Sequence, residues 1–211
     1  MKIGILAVQG AFAEHEQMLE QLGAEYIELR KGEDVRQSYD GLILPGGEST
    51  VQGKLMRELD MFDTIQSQIK NGMPVLATCA GAILLAQQLS NDAATHLATL
   101  PAVVRRNAYG RQLGSFSVDE QIEGIGTFPM RFIRAPYIEK VLDDTKVLAK
   151  VDGNIVMVEN KNQLAMSFHP ELTSDTRIHE MFLKKIYQKN VKKLTKSLGI
   201  FFFFWYNHIK E

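Results

Sequence analysis

Apolar positions in the first half of the chain fall into short continuous blocks. Between them lie polar stretches whose few apolar residues recur at helical spacing. Residues 3–8 form one apolar block. Residues 11–22 follow with Phe12, Met18, Leu19 and Leu22 on a helical repeat, closed by Gly23. Residues 26–29 form a second block, and Gly41–Leu44 a third that stops at Pro45-Gly46-Gly47. Helical patterns run from about Val51 to Lys70, then residues 74–77 form a fourth block that passes straight into an apolar helix reaching Leu89. Strands that are apolar throughout are buried on both faces. A β-α-β-α order of such strands predicts a mostly parallel sheet with helices on either side. In that architecture sites gather at the carboxyl ends of the strands. The Gln9-Gly10 turn, the Gly46-Gly47 turn and Cys79 all fall there, so three separate segments converge on one crevice.

The second half changes character. Short β-prone pieces at 114–118, 147–151, 155–158 and 164–168 predict an antiparallel extension whose last strand delivers His169. Residues 173–190 read as a terminal helix with Ser174 as its N-cap. A basic run, Lys192-Lys193-Leu194-Thr195-Lys196, then precedes the dense apolar block 198–206, which is far too short to span a bilayer. That block fits packing on the body, an extension without selected function, or contact with a partner or membrane. The expected organisation is a single domain over residues 1–190 with an atypical basic-then-aromatic tail over 191–211.

Composition narrows the class. With 211 residues, 45% of them apolar, the chain has the size and core of one ordinary domain. A formal charge of −1 with mixed signs gives no basic stripe for nucleic acid or a membrane surface. The single cysteine excludes an internal disulfide and suits a reducing compartment. Residues 1–8 read as a buried first strand rather than a signal peptide, so the expected location is the cytoplasm. No metal-ligand spacing, phosphate loop or dinucleotide fingerprint stands out, and neither metal nor cofactor is expected.

The candidate chemistry centres on Cys79. Small residues flank it (Ala77, Ala80 and Gly81), as a sharp strand-to-helix elbow requires. A thiol at a helix N-terminus is favoured as thiolate. Some ninety residues later, Ser167-Phe168-His169-Pro170-Glu171 offers a base and an acid. A strand-like step of two would put His169 and Glu171 on one side of the backbone, with Pro170 stiffening the segment. A lone cysteine after an apolar strand is most often a small buried hydrophobe, and a lone His-x-Glu carries less still. Together they are the parts of a Cys-His-Glu triad. The double-glycine turn suits an oxyanion hole, with backbone N–H groups of Gly47 and Ala80 as donors; an ordinary βα turn capped by Ser49 or Thr50 is the plainer reading. Arg106 and Arg134, with Arg105 and Arg111 near the first, are suited to a substrate carboxylate, although surface arginines are usually solvated. Of the other histidines only His15 lies near the expected crevice; His96, His179 and His208 are scattered.

Three groups of residues resemble the triad-type class I glutamine amidotransferases: Leu44-Pro45-Gly46-Gly47-Glu48-Ser49-Thr50, Thr78-Cys79-Ala80-Gly81, and Ser167-Phe168-His169-Pro170-Glu171-Leu172-Thr173. Gln9-Gly10-Ala11 with Glu14-His15, Arg106-Asn107 with Gly110-Arg111-Gln112, and Phe132-Ile133-Arg134-Ala135-Pro136 are similar to the glutaminase subunits of two-component pyridoxal 5′-phosphate synthases. The likeness runs from Met1 to about Lys189. It implies a three-layer α/β/α flavodoxin-like fold that hydrolyses L-glutamine to glutamate and ammonia, and a separate barrel-shaped synthase subunit as partner. It implies Cys79 as nucleophile, His169 as base and Glu171 as its orienting group. It also implies glutamine binding at Gly47, Glu48, Ser49, Arg106, Ile133 and Arg134. Ala77 departs from the glycine often found at that point of the elbow, and the chain runs some twenty residues past the family's usual end. A glutaminase serving another synthase, a stand-alone hydrolase or peptidase, and a catalytically silent binding subunit are the competing readings.

Overall fold

The computed structural model describes residues 1–108 and 114–208, with side chains as far as Thr195. Tyr109, Gly110, Arg111 and Gln112, singled out above, lie outside the described residues, as do the side chains of the 198–206 block.

Strand and helix alternate through the first half as the apolar blocks predict. The order is β1 (Lys2–Leu6), α1 (Phe12–Gln21), β2 (Glu25–Leu29), α2 (Gly32–Val35), β3 (Gly41–Leu44), α3 (Ser49–Glu58), α4 (Phe62–Lys70), β4 (Val75–Thr78) and α5 (Ala80–Leu85). The helical patterns over 51–70 form two helices, separated where Asp60 takes a left-handed φ of 56°. The helix expected to reach Leu89 ends at Leu85, and Ala86–Leu89 becomes strand β5. The cause lies in the loop that follows. The N–H groups of Leu97 and Thr99 take the carbonyls of Leu84 and Leu85 at 2.9 Å each, carbonyls that a longer helix would need for its own next turn.

The second half supplies β6 (Leu100–Arg105), β7 (Ser115–Ile122), β8 (Gly126–Ile133), β9 (Tyr137–Val141), β10 (Lys146–Val151), β11 (Asn154–Asn160) and β12 (Gln163–Met166). A 3-10 turn over Pro170–Leu172 and helix α6 (Arg177–His208) follow. The main sheet runs β2-β1-β3-β4-β12-β11-β9-β6-β5, with β10 added beside β11; β7 and β8 form a separate hairpin. From β2 to β12 every pairing is parallel, and β11, β9 and β10 carry the antiparallel part. β12 is therefore not simply the end of an antiparallel extension. It lies antiparallel to β11 and parallel to β4, with Met166 opposite Thr78. Parallel pairing is what brings the residues after β12 to the same sheet edge as the residues after β4.

Strand residues alternate between two cores, as a sheet covered on both faces requires. Leu42, Leu44, Val75 and Ala77 face the α2–α5 side with Met56, Ile65 and Leu84. Ile43 and Leu76 face the other side with Leu19 of α1, Phe128 and Phe132 of β8, and Phe182 of α6. Ala77 is fully buried between Leu44 and Ala165, so its extra methyl is accommodated in the strand. The terminal helix starts at Arg177 rather than near 173. Asp175, not Ser174, accepts the Arg177 backbone N–H at 3.1 Å.

Candidate active site

Cys79 sits between β4 and α5 with φ 47° and ψ −100°, a left-handed conformation that costs a non-glycine residue about 1–3 kcal/mol. The elbow is held in place from both sides. The Cys79 N–H donates to the Met166 carbonyl of β12 at 2.8 Å, and a Cβ on Gly81 would lie 2.1 Å from the Leu44 carbonyl oxygen. Only glycine lets α5 start this close to β3. Cys79 is 7% exposed, and its Sγ lies 3.9 Å from the Ile133 carbonyl oxygen at the end of β8.

His169 arrives from β12 on the same edge. Its N–H donates to the Arg131 carbonyl at 2.8 Å, tying the loop to β8. His169 and Glu171 do meet, with Nδ1 and Oε1 2.7 Å apart, but not by a strand-like step: Pro170 opens a 3-10 turn that folds Glu171 back onto the imidazole. Burial disfavours the imidazolium, but hydrogen bonding to Cys79 and to Glu171 outweighs it, and His169 is pushed up to about 10. Burial likewise disfavours the Glu171 carboxylate; His15 and His169 overcome this and hold the acid below its ordinary value.

The double-glycine turn lies against this pair. A Cβ on Gly46 would fall 2.2 Å from His169 Cε1. The Gly46 N–H donates to Thr78 Oγ1 at 2.9 Å, and its carbonyl accepts from Ala11 at 2.9 Å. Gln9 Oε1 accepts the Glu48 N–H at 2.8 Å, and Gln52 Nε2 donates to the carbonyls of Gln9 and Pro45. The turn after β1 thus braces the turn after β3. Gly10, at φ 105°, is needed there, since a Cβ would meet the Gly46 carbonyl oxygen at 2.0 Å. The cap of α3 is Glu48, whose Oε1 accepts the Thr50 N–H at 3.4 Å, and not Ser49 or Thr50. Ser49 is buried in the first turn with no hydrogen-bond partner for its hydroxyl among the described residues.

Arg106 reaches the same mouth. It donates to Asp92 at 2.6 Å, to Thr50 Oγ1 at 3.1 Å and to Glu48 Oε1 at 3.4 Å. Ile133, 40% exposed, ends β8 beside the thiol, and Arg134 follows it, held at φ 43° by a 2.7 Å bond from its N–H to the Gly114 carbonyl. Cys79, His169, Glu171, Gly46 and Gly47 therefore share one edge with Glu48, Arg106 and Ile133.

Over residues 5–188 the sequence matches the family described as SNO glutamine amidotransferase. The chain belongs to the SNO glutamine amidotransferase family. Within it, the chain is 63% identical over 186 residues to the pyridoxal 5′-phosphate synthase subunit PdxT of Desulfitobacterium hafniense (strain DSM 10664 / DCB-2), covering 88% of this chain and 94% of that protein. It is 52% identical over 192 residues to the subunit of the same name from Streptococcus pneumoniae (strain CGSP14), covering 90% and 99%. A crystal structure described as a glutamine amidotransferase superposes with a TM-score of 0.83 at 43% identity, covering 87% of this chain and 98% of that one. The α/β fold, with its mostly parallel sheet and flavodoxin-like layering, is the family's.

Sequence reasoning missed three residues near this edge. Asp92 anchors Arg106, Thr78 ties Gly46 to Glu171, and His179 lies behind His15 with its ring tilted against it. Thr78 stands inside the Thr78-Cys79-Ala80-Gly81 motif, where nothing in the sequence alone assigned it a role. Asp92 lies in a loop of mixed polarity and His179 on a long terminal helix, and neither position carries a local signal.

Proposed function

We propose that this chain is the glutaminase subunit of a pyridoxal 5′-phosphate synthase, hydrolysing L-glutamine to L-glutamate and ammonia. Cys79, His169 and Glu171 form its triad. The observation that carries the reading is the His169–Glu171 contact at 2.7 Å, made beside the strained Cys79 elbow in a member of this amidotransferase family. Cys79 thiolate attacks the side-chain amide carbon of glutamine. The oxygen gains negative charge, stabilised by the backbone N–H groups of Gly47 and Ala80. His169, protonated and oriented by Glu171, gives its proton to the nitrogen, and the C–N bond breaks to release ammonia and leave a thioester on Sγ. His169 then takes a proton from water, whose oxygen attacks the thioester; glutamate departs and the thiolate returns. Arg106, pre-oriented by Asp92, and Arg134 face the substrate carboxylate. Gly47, Glu48, Ser49 and Ile133 complete the glutamine pocket.

The ammonia passes to the synthase subunit, in keeping with the naming of the relatives as synthase subunits. The reaction runs in the cytoplasm, where a free, catalytic Cys79 thiol stays reduced. Residues 1–190 are the catalytic unit and 191–211 an extension beyond it. Among the described residues no helix is long and apolar enough to cross a membrane.

Glutamate release measured with and without the synthase subunit from the same source tests this. Turnover should be low alone and rise at least about a hundredfold on docking, the effect of completing one oxyanion donor. No glutamate release under either condition contradicts the reading.

A further inference from the structure

Behind Glu171, on the side away from His169, lies a second pair of histidines that the mechanism above does not use. His15 of α1 and His179 of α6 are both fully buried, with His15 Nδ1 and His179 Nε2 2.9 Å apart. His15 Nε2 faces Thr78 Oγ1 at 3.3 Å and Glu171 Oε2 at 3.6 Å. Thr78 Oγ1 in turn lies 3.4 Å from Glu171 Oε1 and accepts the Gly46 N–H. Glu171 Oε2 and His179 Nδ1 have no hydrogen-bond partner among the described residues.

These contacts fix the direction of the protons. Thr78 accepts from Gly46 and has its hydroxyl proton for Glu171, and an ionised Glu171 only accepts. His15 Nε2 must therefore carry hydrogen, because a bare lone pair there would face a carboxylate oxygen. If His15 Nδ1 also carried hydrogen, His179 Nε2 would have to accept. Its own proton would then lie on Nδ1, a buried donor with no partner among the described residues, which costs about 1–3 kcal/mol. The arrangement without an orphaned donor has both rings neutral and both Nε2 atoms protonated.

We propose that His15 and His179 are positioning residues for the glutaminase triad: His179 Nε2–H donates to His15 Nδ1, and His15 Nε2–H points at Thr78 Oγ1 and Glu171 Oε2, so that Oε1 stays turned to His169. The inference rests on the glutaminase reading for its catalytic consequence, but not for its geometry. Two neutral donors in series orient the carboxylate without adding a cation. Glu171 keeps its full negative charge for the His169 imidazolium, whereas a charged His15 would compete for it. The groups facing His15 are Glu171, His169, Glu14 and His179. Burial is the largest influence on His15 and lowers it, with Glu171 pulling the other way. Burial, the largest influence there too, pushes His179 down to about 3.

The full chain, labelled with 15N-histidine, tests the proton arrangement in the unmutated protein. Both rings should show the neutral Nε2–H tautomer, unchanged between about pH 7 and pH 8. An Nδ1–H tautomer or a charged ring at either position overturns the proposal. The catalytic consequence is read from His179→Leu, which removes the donor, and His179→Gln, whose amide nitrogen can reoccupy the Nε2 position. In the complex with the synthase subunit, His179→Leu should lower kcat about ten- to a hundredfold with KM within about threefold. The alkaline limit of Cys79 alkylation by iodoacetamide should move to lower pH. His179→Gln should return kcat to within about threefold of the parent. A folded His179→Leu with parental kcat and alkylation profile, or a folded His179→Gln no better than it, overturns the proposal. Unmutated protein that releases no glutamate contradicts the glutaminase reading alone, since the tautomers and the alkylation profile are read without glutamine.

Discussion

His169 Nδ1 lies 2.7 Å from Glu171 Oε1 although a single residue, Pro170, separates them. An extended chain would set the two side chains side by side and parallel. The 3-10 turn instead rotates the carboxylate back over the ring and buries it completely. The bond fixes the imidazole plane through Nδ1, and in the proposed mechanism the other nitrogen serves Cys79.

Separate roles within this pair predict unequal mutant costs. His169→Asn removes the proton carrier and should lower kcat/KM nearly as far as loss of the nucleophile. Glu171→Gln keeps a group at the same place but removes the charge, and should cost less, on the order of a hundred- to ten-thousandfold. Steady-state glutamate release compares the two. If Glu171→Gln were the more severe, Glu171 would take part directly in proton transfer and the roles given above would be wrong.

Gly46 offers a steric test. Its φ is not left-handed, so alanine is conformationally tolerable, but the new methyl would fall 2.2 Å from His169 Cε1. The ring must move, and displacement of a catalytic group by about 1 Å typically costs about a hundredfold. Gly46→Ala should therefore lose at least that much kcat/KM while its thermal midpoint shifts by only a few degrees. Activity within about threefold of the parent would mean that the turn does not pack on His169 as described.

The parallel sheet, both cores and the elbow were legible in the sequence, because each rests on local patterns: continuous apolar strands, the glycines at 46, 47 and 81, and the small residues around Cys79. The end of α5 was not. It is decided by Leu97 and Thr99, which reach back to the carbonyls of Leu84 and Leu85, and helical propensity alone would carry the helix onward. Cys79, His169 and Glu171 stood out through motif spacing, but the contact geometry of His169 and Glu171 did not, since the 3-10 turn at Pro170 replaces the expected extended step. His179 was the least accessible. It lies 164 residues from His15 and meets it only because α6 packs across the same face as α1. Gln9 and His15 were visible only as part of a turn near the crevice, not through the contacts they make with Glu48 and Glu171.

The shifted groups give stability a two-sided pH dependence. His169 is raised from 6.5 to about 10, so the stability it contributes is fully present below about pH 6.5 and is lost as pH climbs through about 10. His179 is lowered to about 3. Below pH 6.5 the unfolded chain takes up a proton there that the folded chain refuses, and stability declines as pH falls toward 3. Glu171, with a lowered value, adds to the acid loss below its ordinary 4.5. Each group contributes at most about 1.4 kcal/mol per pH unit. Urea midpoints should therefore peak between the two limbs, and His169→Asn should flatten the alkaline limb while sparing the acid one. An alkaline limb unchanged in that variant would remove His169 as its cause.

Glutamine turnover by Cys79→Ala in the complex with the synthase subunit tests the proposed nucleophile itself. Cys79 is the chain's single cysteine, so no other thiol can substitute for it. Removing a nucleophile of this kind lowers turnover by at least about a thousandfold, and the account predicts a loss of that size with complex formation and thermal midpoint preserved. Glutamate release within about tenfold of the unmutated protein would contradict it.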